Sequence, residues 1–394
     1  MKEPGGTAAC GETRKGGDTL SGTEPRRDHD PAPLRSRRQV LAGATYGLGA
    51  ALLFQRAPVT LGRATADPTR PGSDNAAEGA VVPDATRLAG DGQPRSICRG
   101  RAGVIVVGMD GDEPVSWTND DRRWHEHTLA VPAPGDPDVW GVAAHGDRFL
   151  AVGSMLQQDA VDVGTDREVP GEQASVTFTK RRRRPTVWWT ADRERWEGRM
   201  LDVDEAHAQL ISVSCNSVRL VAVGSTLDAD GVQGDGAFAL ISDDHGETWE
   251  RGDIAAADAT LAEGSFTGVT LMDGRWFATS TDIEGGAVWT SDDGRRWSIV
   301  PASAKAFRGI TLQGLGVRRG RVYVAGTRLT DQTPCYFASA DACRTWRPLR
   351  PGPRTLAGGD VTVNDLTVMS GDIVVVGTRD GSPIVEGGAS GAAD

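Results

Sequence analysis

Short runs of β-branched residues recur along the chain, and each run is closed by a small residue. The six runs end at Gly108, Gly153, Gly224, Ser280, Gly326 and Gly377. Apolar runs of this length, bounded by turns rich in Gly, Asp and Asn, predict β-strands. The sequence shows no helical periodicity of useful length outside the N-terminus. The pattern therefore predicts an all-β protein built from a repeated unit.

A second repeat is a polar segment that ends in tryptophan. Its copies are TNDDRRW (118–124), TADRERW (190–196), SDDHGETW (242–249), TSDDGRRW (290–297) and SADACRTW (339–346). From each Trp to the next run-closing residue there are 28 to 31 residues, whereas the stretch before each Trp varies from 16 to 43 residues. One half of the unit is thus set by packing, and the other half contains a variable surface connection. A unit of roughly fifty residues made of short strands is typical of a β-propeller blade.

We name the four strands of a blade A to D from the channel outward. Strand B is the Gly-closed or Ser-closed run, strand C precedes the Trp-terminated segment, and strand D follows its Trp. Six B strands predict six blades, with five or seven as the alternatives. The last blade has no Trp-terminated segment before the chain ends at Asp394. Because an open sheet edge leaves backbone groups unpaired, we expect an N-terminal strand, Gly79–Pro83 or Ala85–Ala89, to close the ring.

The Trp-terminated segments have the chemistry of a turn. In the third copy, Asp244 can accept backbone hydrogen bonds, Gly246 can adopt a left-handed conformation, and Trp249 offers a large apolar face. This segment resembles the Asp-box, or BNR repeat, S-x-D-x-G-x-T-W, of the sialidase-like β-propellers. The resemblance covers about residues 95–386 and implies structural roles for Asp120, Trp124, Asp192, Trp196, Asp244, Trp249, Asp292, Trp297, Asp341 and Trp346.

Sialidase chemistry implies three arginines, an Asp acid/base, and a Tyr nucleophile activated by Glu. The chain beyond residue 66 has two tyrosines, Tyr323 in strand B and Tyr336 in strand C of the fifth blade. The nucleophile of the family lies on an inner strand, so neither position matches it. The segment Pro94–Ile97 departs from the F/Y-R-I-P motif of the family. The sequence therefore favours a non-catalytic binding or scaffold module over the alternative of a divergent glycoside hydrolase or lyase.

The N-terminus has the pattern of an export signal. The segment Ser36–Leu41 matches a twin-arginine motif, the apolar stretch Val40–Phe54 follows it, and Ala64–Ala66 is a candidate cleavage site. We therefore divide the chain into a leader (1–66), a linker (67–94), the propeller (95–386) and a tail (387–394). This organisation predicts a monomeric protein, secreted or associated with the cell wall, that meets a membrane only during export. A Sec signal or a retained anchor is the alternative to a twin-arginine signal.

Charge and cysteine content narrow the possible partners. The net charge is −11, and without residues 1–66, which hold 10 basic and 6 acidic residues, it would be −15. This balance disfavours nucleic-acid binding. Four cysteines lie beyond the leader, and in an exported protein they could form disulfides of undetermined pairing: Cys98, Cys215, Cys335 and Cys343. Their spacing with His matches no zinc pattern.

The variable connections between strands B and C are the candidate binding loops. Several are acidic and include Asp110, Asp112, Asp228 and Asp230, so they could hold Ca²⁺ or could simply be solvated. Otherwise no metal or cofactor is expected. The second connection, residues 154–185, ends in a basic run that includes Lys180, Arg181 and Arg182. This run could bind a wall polymer such as teichoic acid, an acidic polysaccharide or an acidic protein surface, with a solvated loop as the alternative.

Overall fold

The protein is a six-bladed β-propeller. The computed structural model describes residues 63–64, 88, 92–119, 123–164, 175–203, 207–228, 234–255, 264–349, 361–369 and 372–389. Six sheets with antiparallel blade strands form the ring. Each of the six predicted B strands lies next to the inner strand of its sheet, which confirms the predicted fold class and blade number. Among the described residues, no helix is long and apolar enough to cross a membrane.

The first three blades occupy the N-terminal half of the ring. A short strand precedes them, β1 (Arg63–Ala64). The first blade contains β2 (Gln93–Gly100), β3 (Gly103–Asp110), β4 (Glu113–Asn119) and β5 (Trp124–Thr128). The second contains β6 (Asp136–His145), β7 (Arg148–Gly164), β8 (Ser175–Thr190) and β9 (Glu197–Met200). The third contains β10 (Ala208–Cys215), β11 (Leu220–Leu227), β12 (Gly234–Ser242) and β13 (Glu250–Arg251).

The other three blades complete the ring. The fourth contains β14 (Asp253–Ala255), β15 (Ser265–Met272), β16 (Arg275–Thr281), β17 (Gly286–Ser291) and β18 (Arg296–Ile299), followed by the helix α1 (Pro301–Ala306). The fifth contains β19 (Ile310–Arg318), β20 (Arg321–Arg328), β21 (Pro334–Ser339) and β22 (Arg347–Leu349). The sixth contains β23 (Val361–Met369), β24 (Asp372–Arg379) and β25 (Ser382–Ala389). The strands thus begin two residues before, and end three residues after, the predicted propeller range.

Two short strands add to the edges of their sheets. The strand β1 pairs in parallel with the inner strand β10 of the third blade, and β14 pairs in parallel with the outer strand β18 of the fourth. The last blade has three strands among the described residues. Both candidate closing strands lie outside the described residues, apart from Leu88. Leu88 belongs to a buried cluster with Val374 and Val385 of the last blade and Trp117 of the first. The closing strand itself stays a prediction.

Every inner strand carries a β-bulge near its start. The residue that the register skips is Arg95, Trp140, Ile211, Thr267, Gln313 or Asn364, in blade order. Just before each bulge, the inner strand pairs with the small residue that closes strand B. In the third blade a Cβ at Gly224 would lie 2.0 Å from the carbonyl oxygen of Gln209. Glycine is therefore favoured beside the bulge in five blades, because the backbone partner leaves little room for a side chain. The fourth blade has Ser280 at this position, so its inner strand accommodates a Cβ.

Side chains next to the bulges join neighbouring blades. The hydroxyl of Ser96 accepts a hydrogen bond from the backbone N–H of Val142 in the next blade, at 3.3 Å. Between the last and first blades, the Asp365 carboxylate accepts one from the N–H of Ile97 at 2.9 Å, and the Asn364 amide donates one to the Pro94 carbonyl at 2.7 Å. These bonds, together with the packing of Leu88, close the ring at its inner strands.

In its described residues, 154–164 and 175–185, the second connection between strands B and C is a pair of strands rather than a loop. Strands β7 and β8 stay paired from Phe149↔Thr190 to Gly164↔Ser175. Beyond Leu156, neither strand pairs with another strand among the described residues. The eight residues from Gln157 to Gly164 thus form one side of a two-stranded ribbon about 25 Å long at ~3.3 Å per residue. We call the segment 157–164 and its partner 175–182 the ribbon.

Candidate functional site

The mouth of the channel is the end at which the inner strands begin and the connections between strands B and C leave the ring. The six bulge residues lie in one row at this end, since each pairs out of register near the start of its inner strand. Their chemistry is mixed, with one cation, one aromatic ring, one aliphatic chain and three neutral polar groups. Sequence reasoning missed this row, although the recurring Gly marks its position in every blade except the fourth, which has Ser280.

Two arginines share one carboxylate at the mouth. Arg95 of the first blade forms an ion pair with Asp138 of the second. Arg183 of β8 contacts the other oxygen of Asp138 at 3.3 Å and donates to the hydroxyl of Ser154 at 3.1 Å. The guanidinium carbon of Arg95 lies 3.9 Å from the centroid of the Trp140 ring, within the range of a cation–π contact. The cluster carries one net positive charge, and its three charged side chains are 14 to 20% exposed.

The remaining mouth residues are neutral. The hydroxyl of Thr267 donates to Thr279 in its own blade, and the hydroxyl of Thr327 donates to the amide oxygen of Gln313 at 3.1 Å. Ile211 supplies an apolar side chain that is 6% exposed. Small polar and apolar groups therefore surround the cationic cluster.

The basic run continues from the cluster into the ribbon. Arg181 and Arg182 are exposed and pair across the ribbon with Gln158 and Gln157. Lys180 is paired with Asp159 in the same ladder. The structure thus separates the run into parts, since Arg183 belongs to the mouth cluster and Arg181 and Arg182 present their side chains to solvent.

The acidic connections do not converge in the described part of the chain. Asp110 and Asp112 flank Gly111 in the two-residue turn between β3 and β4, where Gly111 has a φ of 57°. Asp228 follows the end of β11, and Asp230 lies outside the described residues. The described residues contain no group of three His, Cys, Asp or Glu side chains that could hold a metal ion. The possible calcium site remains a prediction.

The Trp-terminated segments of the second to fifth blades form turns between strands C and D, at the end of the ring opposite the mouth. Asp244 accepts hydrogen bonds from the hydroxyl and N–H of Thr248 and from the hydroxyl of Ser242, which lower its pKa to about 2. Asp341 is held in the same way by Thr345, and its pKa is also lowered to about 2. Asp192 accepts from the N–H groups of residues 195 and 194, and these bonds lower its pKa to about 2. These carboxylates are ionised acceptors within their turns.

The fourth copy corrects the sequence assignment of Asp292. Its neighbour Asp293 accepts the backbone N–H groups of Arg295 and Arg296, at 2.8 and 2.9 Å. Burial opposes ionisation of Asp293, but these two bonds and one from Ser291 outweigh it and lower the pKa. Asp292 is exposed and pairs with Arg275 on the surface. The spacing from the Trp was misleading because the fourth turn, from Ser291 to Trp297, is one residue shorter than the third, from Ser242 to Trp249. In the first copy, Asp120 lies outside the described residues.

The terminal tryptophans differ in burial. Trp297 is 1% exposed and packs against Phe266 with ring centroids 5.7 Å apart. Trp196 and Trp124 are also buried, and the indole N–H of Trp196 donates to Ser116 of the preceding blade at 2.9 Å. The other two, Trp249 and Trp346, are half-buried at the edges of their clusters. The apolar contacts thus link each turn to the blade core or to the blade before it.

Neither of the two described tyrosines lies on an inner strand. Tyr336 is in β21, and burial, together with the nearby Cys335 and Glu386, raises the pKa of its phenol. Tyr323 lies in β20, the second strand of the same blade. Their positions in strands B and C of the fifth blade are those predicted from the sequence. The described cysteines, Cys98, Cys215, Cys335 and Cys343, are not joined by disulfides.

Comparison with known proteins supports the fold. No family model and no curated protein matches the chain. Among solved structures, it is similar to the Hadza microbial sialidase Hz136, with a TM-score of 0.55 and 16% identity over 76% of this chain and 65% of that one. The chain therefore spans slightly less than two thirds of that sialidase. The chain also matches YCF48 from Cyanidioschyzon merolae, with a TM-score of 0.43 and 14% identity over 75% of this chain and 80% of that one. A third match is the phage phi92 endosialidase, with a TM-score of 0.45 and 10% identity over 75% of this chain and 63% of that one. At 16% identity, the likeness to Hz136 shows a shared β-propeller fold.

Proposed function

We propose that this protein is an exported binding propeller whose mouth and ribbon hold an anionic polymer of the cell surface, such as an acidic saccharide or a wall polymer. The observation that supports this most is the continuity of the basic run with the mouth. Arg181 and Arg182 are exposed on the ribbon, and Arg183, on the same strand, reaches the carboxylate that Arg95 also holds. A ligand lying along β8 would meet cations from the ribbon to the channel.

The charge of the whole chain makes this local patch selective. The chain carries a net charge of −11, so its acidic surfaces repel polyanions. Such repulsion is screened beyond about 8 Å at physiological ionic strength. The cations at the base of the ribbon can therefore bind an anionic polymer through local contacts, in spite of the acidic net charge.

The mouth also offers the contacts that saccharides use. An aromatic ring and neutral polar groups occur together at many ligand sites, where the ring supplies area and the polar groups fix orientation. Trp140 lies beneath Arg95, and Thr267, Gln313 and Asn364 follow around the ring. We further propose that the Trp-terminated turns are Asp-boxes with a structural role at the opposite end of the ring.

A divergent glycoside hydrolase is the second candidate. The likeness to a sialidase propeller and the arginine–carboxylate cluster at Asp138 favour it. However, Asp138 is engaged by two guanidinium groups, and a raised pKa keeps Tyr336 protonated. A general acid/base needs a carboxyl group free to exchange a proton. Binding without turnover is therefore the function that these contacts support better.

A glycan array carrying anionic and neutral polymers tests the binding proposal. We expect the parent to select anionic polymers and the double variant Arg181→Gln/Arg182→Gln to lose most of this binding. The control Arg319→Gln/Arg321→Gln removes two exposed cations at the opposite end of the fifth blade and should bind like the parent. Equal loss in both variants would reject a specific ribbon site. A fluorogenic sialoside assay is run alongside. Cleavage of the sialoside by the parent but not by Asp138→Asn would support the hydrolase instead.

Export through the twin-arginine route needs its own test. Lysine keeps the charge but not the guanidinium, so Arg37→Lys with Arg38→Lys should abolish export of the precursor. Normal amounts of this variant outside the cell would contradict the proposed route. The measurement is the ratio of exported to retained protein in cell fractions.

A further inference from the structure

Two histidines meet at the end of the ring opposite the mouth. His145 ends β6, at the turn between strands A and B of the second blade, and His245 lies in the Trp-terminated turn of the third blade. Nε2 of His145 and Nδ1 of His245 are 2.7 Å apart, and the ring centroids are 5.0 Å apart. Neither of the two functions proposed above uses this pair.

The surrounding backbone decides which nitrogen of His145 carries a proton. Nδ1 of His145 lies 3.1 Å from the carbonyl oxygen of Asn216. A carbonyl oxygen only accepts hydrogen bonds, so Nδ1 must be the donor. In the neutral ring, Nε2 then holds the lone pair and accepts a hydrogen bond from Nδ1–H of His245. Metal binding therefore requires His245 to carry its proton on Nε2 instead, which frees Nδ1 as a ligand. Metal-binding histidines are held in this way, with the second nitrogen donating to a carbonyl or carboxylate.

We propose that Nε2 of His145 and Nδ1 of His245 bind one divalent transition-metal ion, which joins the second and third blades. Metal–nitrogen distances of ~2.0–2.1 Å in a tetrahedral site separate two ligand nitrogens by ~3.3 Å. The present separation of 2.7 Å must therefore open by roughly 0.6 Å. His245 is exposed on its turn, so rotation of its side chain can supply this movement without displacing a strand.

The neighbouring charges define the kind of ion. No third His, Cys, Asp or Glu joins the pair to form a larger cluster in the described part of the chain, so water would fill the remaining positions. Imidazole nitrogens favour Cu²⁺, Ni²⁺ and Zn²⁺, whereas Mg²⁺ and Ca²⁺ favour oxygen ligands. Arg148 is the register partner of His145 and is exposed. Its positive charge opposes a bound cation and offers a second test.

Calorimetric titration of the full chain, purified without a polyhistidine tag, tests the site with Cu²⁺, Ni²⁺ and Mg²⁺ as probes. We expect one site that binds Cu²⁺ more tightly than Ni²⁺, as the Irving–Williams order requires, and that does not bind Mg²⁺. Losing a residue that only hydrogen-bonds to a metal ligand lowers metal affinity by roughly 10- to 100-fold. His245→Gln and His145→Gln each remove a ligand itself, so each should lower the affinity for Cu²⁺ by more than this. Arg148→Gln should strengthen it.

The control is His125→Gln, which removes an exposed histidine from β5 and should leave the affinity unchanged. Thermal melts check that each variant folds; if His145→Gln does not, the exposed His245 carries the test alone. A bound ion should also raise the melting temperature of the parent, since it stabilises only the folded state. The proposal is overturned if the parent shows no saturable Cu²⁺ binding, or if His245→Gln binds Cu²⁺ as the parent does.

Discussion

The substitution Gly224→Ala tests the link between the bulges and the recurring glycines. A Cβ at this position would lie 2.0 Å from the carbonyl oxygen of Gln209 and 3.0 Å from the Cα of Leu210. Both atoms belong to the backbone of the inner strand, which is paired on both sides of the bulge. Relief therefore requires a shift of that strand by about 1 Å or more, rather than the rotation of a side chain.

The expected cost follows from this contact. Overpacking a well-packed core costs about 1–3 kcal/mol, and a backbone clash this close belongs at the upper end. Alanine returns about 0.4–1 kcal/mol because it restricts the unfolded chain. We expect a net loss of about 2 kcal/mol, which corresponds to roughly 4–8 °C in the melting temperature of a domain of 150–250 residues and somewhat less in a larger one.

The assay is a thermal melt followed by circular dichroism, with Gly387→Ala as the matched control. Gly387 also lies in a strand, but a Cβ there would meet only a methyl group of Val374 at 3.8 Å. The control should therefore melt at or slightly above the temperature of the parent. If Gly224→Ala melts with the parent, the bulge does not require the glycine. Equal losses in both variants would attribute the effect to the loss of any strand glycine.

Three further predictions concern the Trp-terminated turns. Trp297→Ala should lower the free energy of unfolding by about 3–5 kcal/mol, the usual cost of emptying a buried aromatic site, and the half-buried Trp249 should cost less; equal losses in denaturant titrations would contradict the burial difference. Asp293→Asn should lower the melting temperature more than Asp292→Asn, because only Asp293 holds backbone N–H groups, and the reverse order would restore the sequence assignment. The pKa of Asp244 is lowered from 3.8 to about 2. Its ionised form therefore stabilises the fold above pH ~4, and this contribution is lost as the pH falls from ~4 to ~2. In acid titrations, the difference in stability between the parent and Asp244→Asn should vanish over that range, and a constant difference would contradict the hydrogen-bond explanation.

The repeat pattern was sufficient to predict the blades. The closing residues from Gly108 to Gly377 and the Trp-terminated segments both mark fixed points of a blade, because strand pairing and turn chemistry constrain them locally. The pattern did not reveal the bulges, since a skipped residue changes the register of two strands without changing the composition of either. Arg95 and Asp138 come together only because neighbouring inner strands start side by side.

The ribbon shows the opposite case, in which a local signal was present but not used. Residues 154–185 were expected to form a loop because they fall at the variable position of the unit. However, Val161 and Val163 alternate with polar residues, and so do Val176 and Phe178, as expected for paired strands. The error with Asp292 had another origin, because two adjacent acids fit one motif and only the length of the turn distinguishes them.

The affinity for an anionic polymer tests the central proposal most directly. The dissociation constant of poly(glycerol phosphate) is measured for the parent, for Arg181→Gln/Arg182→Gln and for Arg319→Gln/Arg321→Gln, at low and at high salt. We expect the ribbon variant to bind more weakly at low salt, with a smaller salt dependence, because fewer cations contact the polymer. The control should keep the affinity and salt dependence of the parent. Identical affinities for the parent and the ribbon variant would show that the basic run of β8 does not form the binding site.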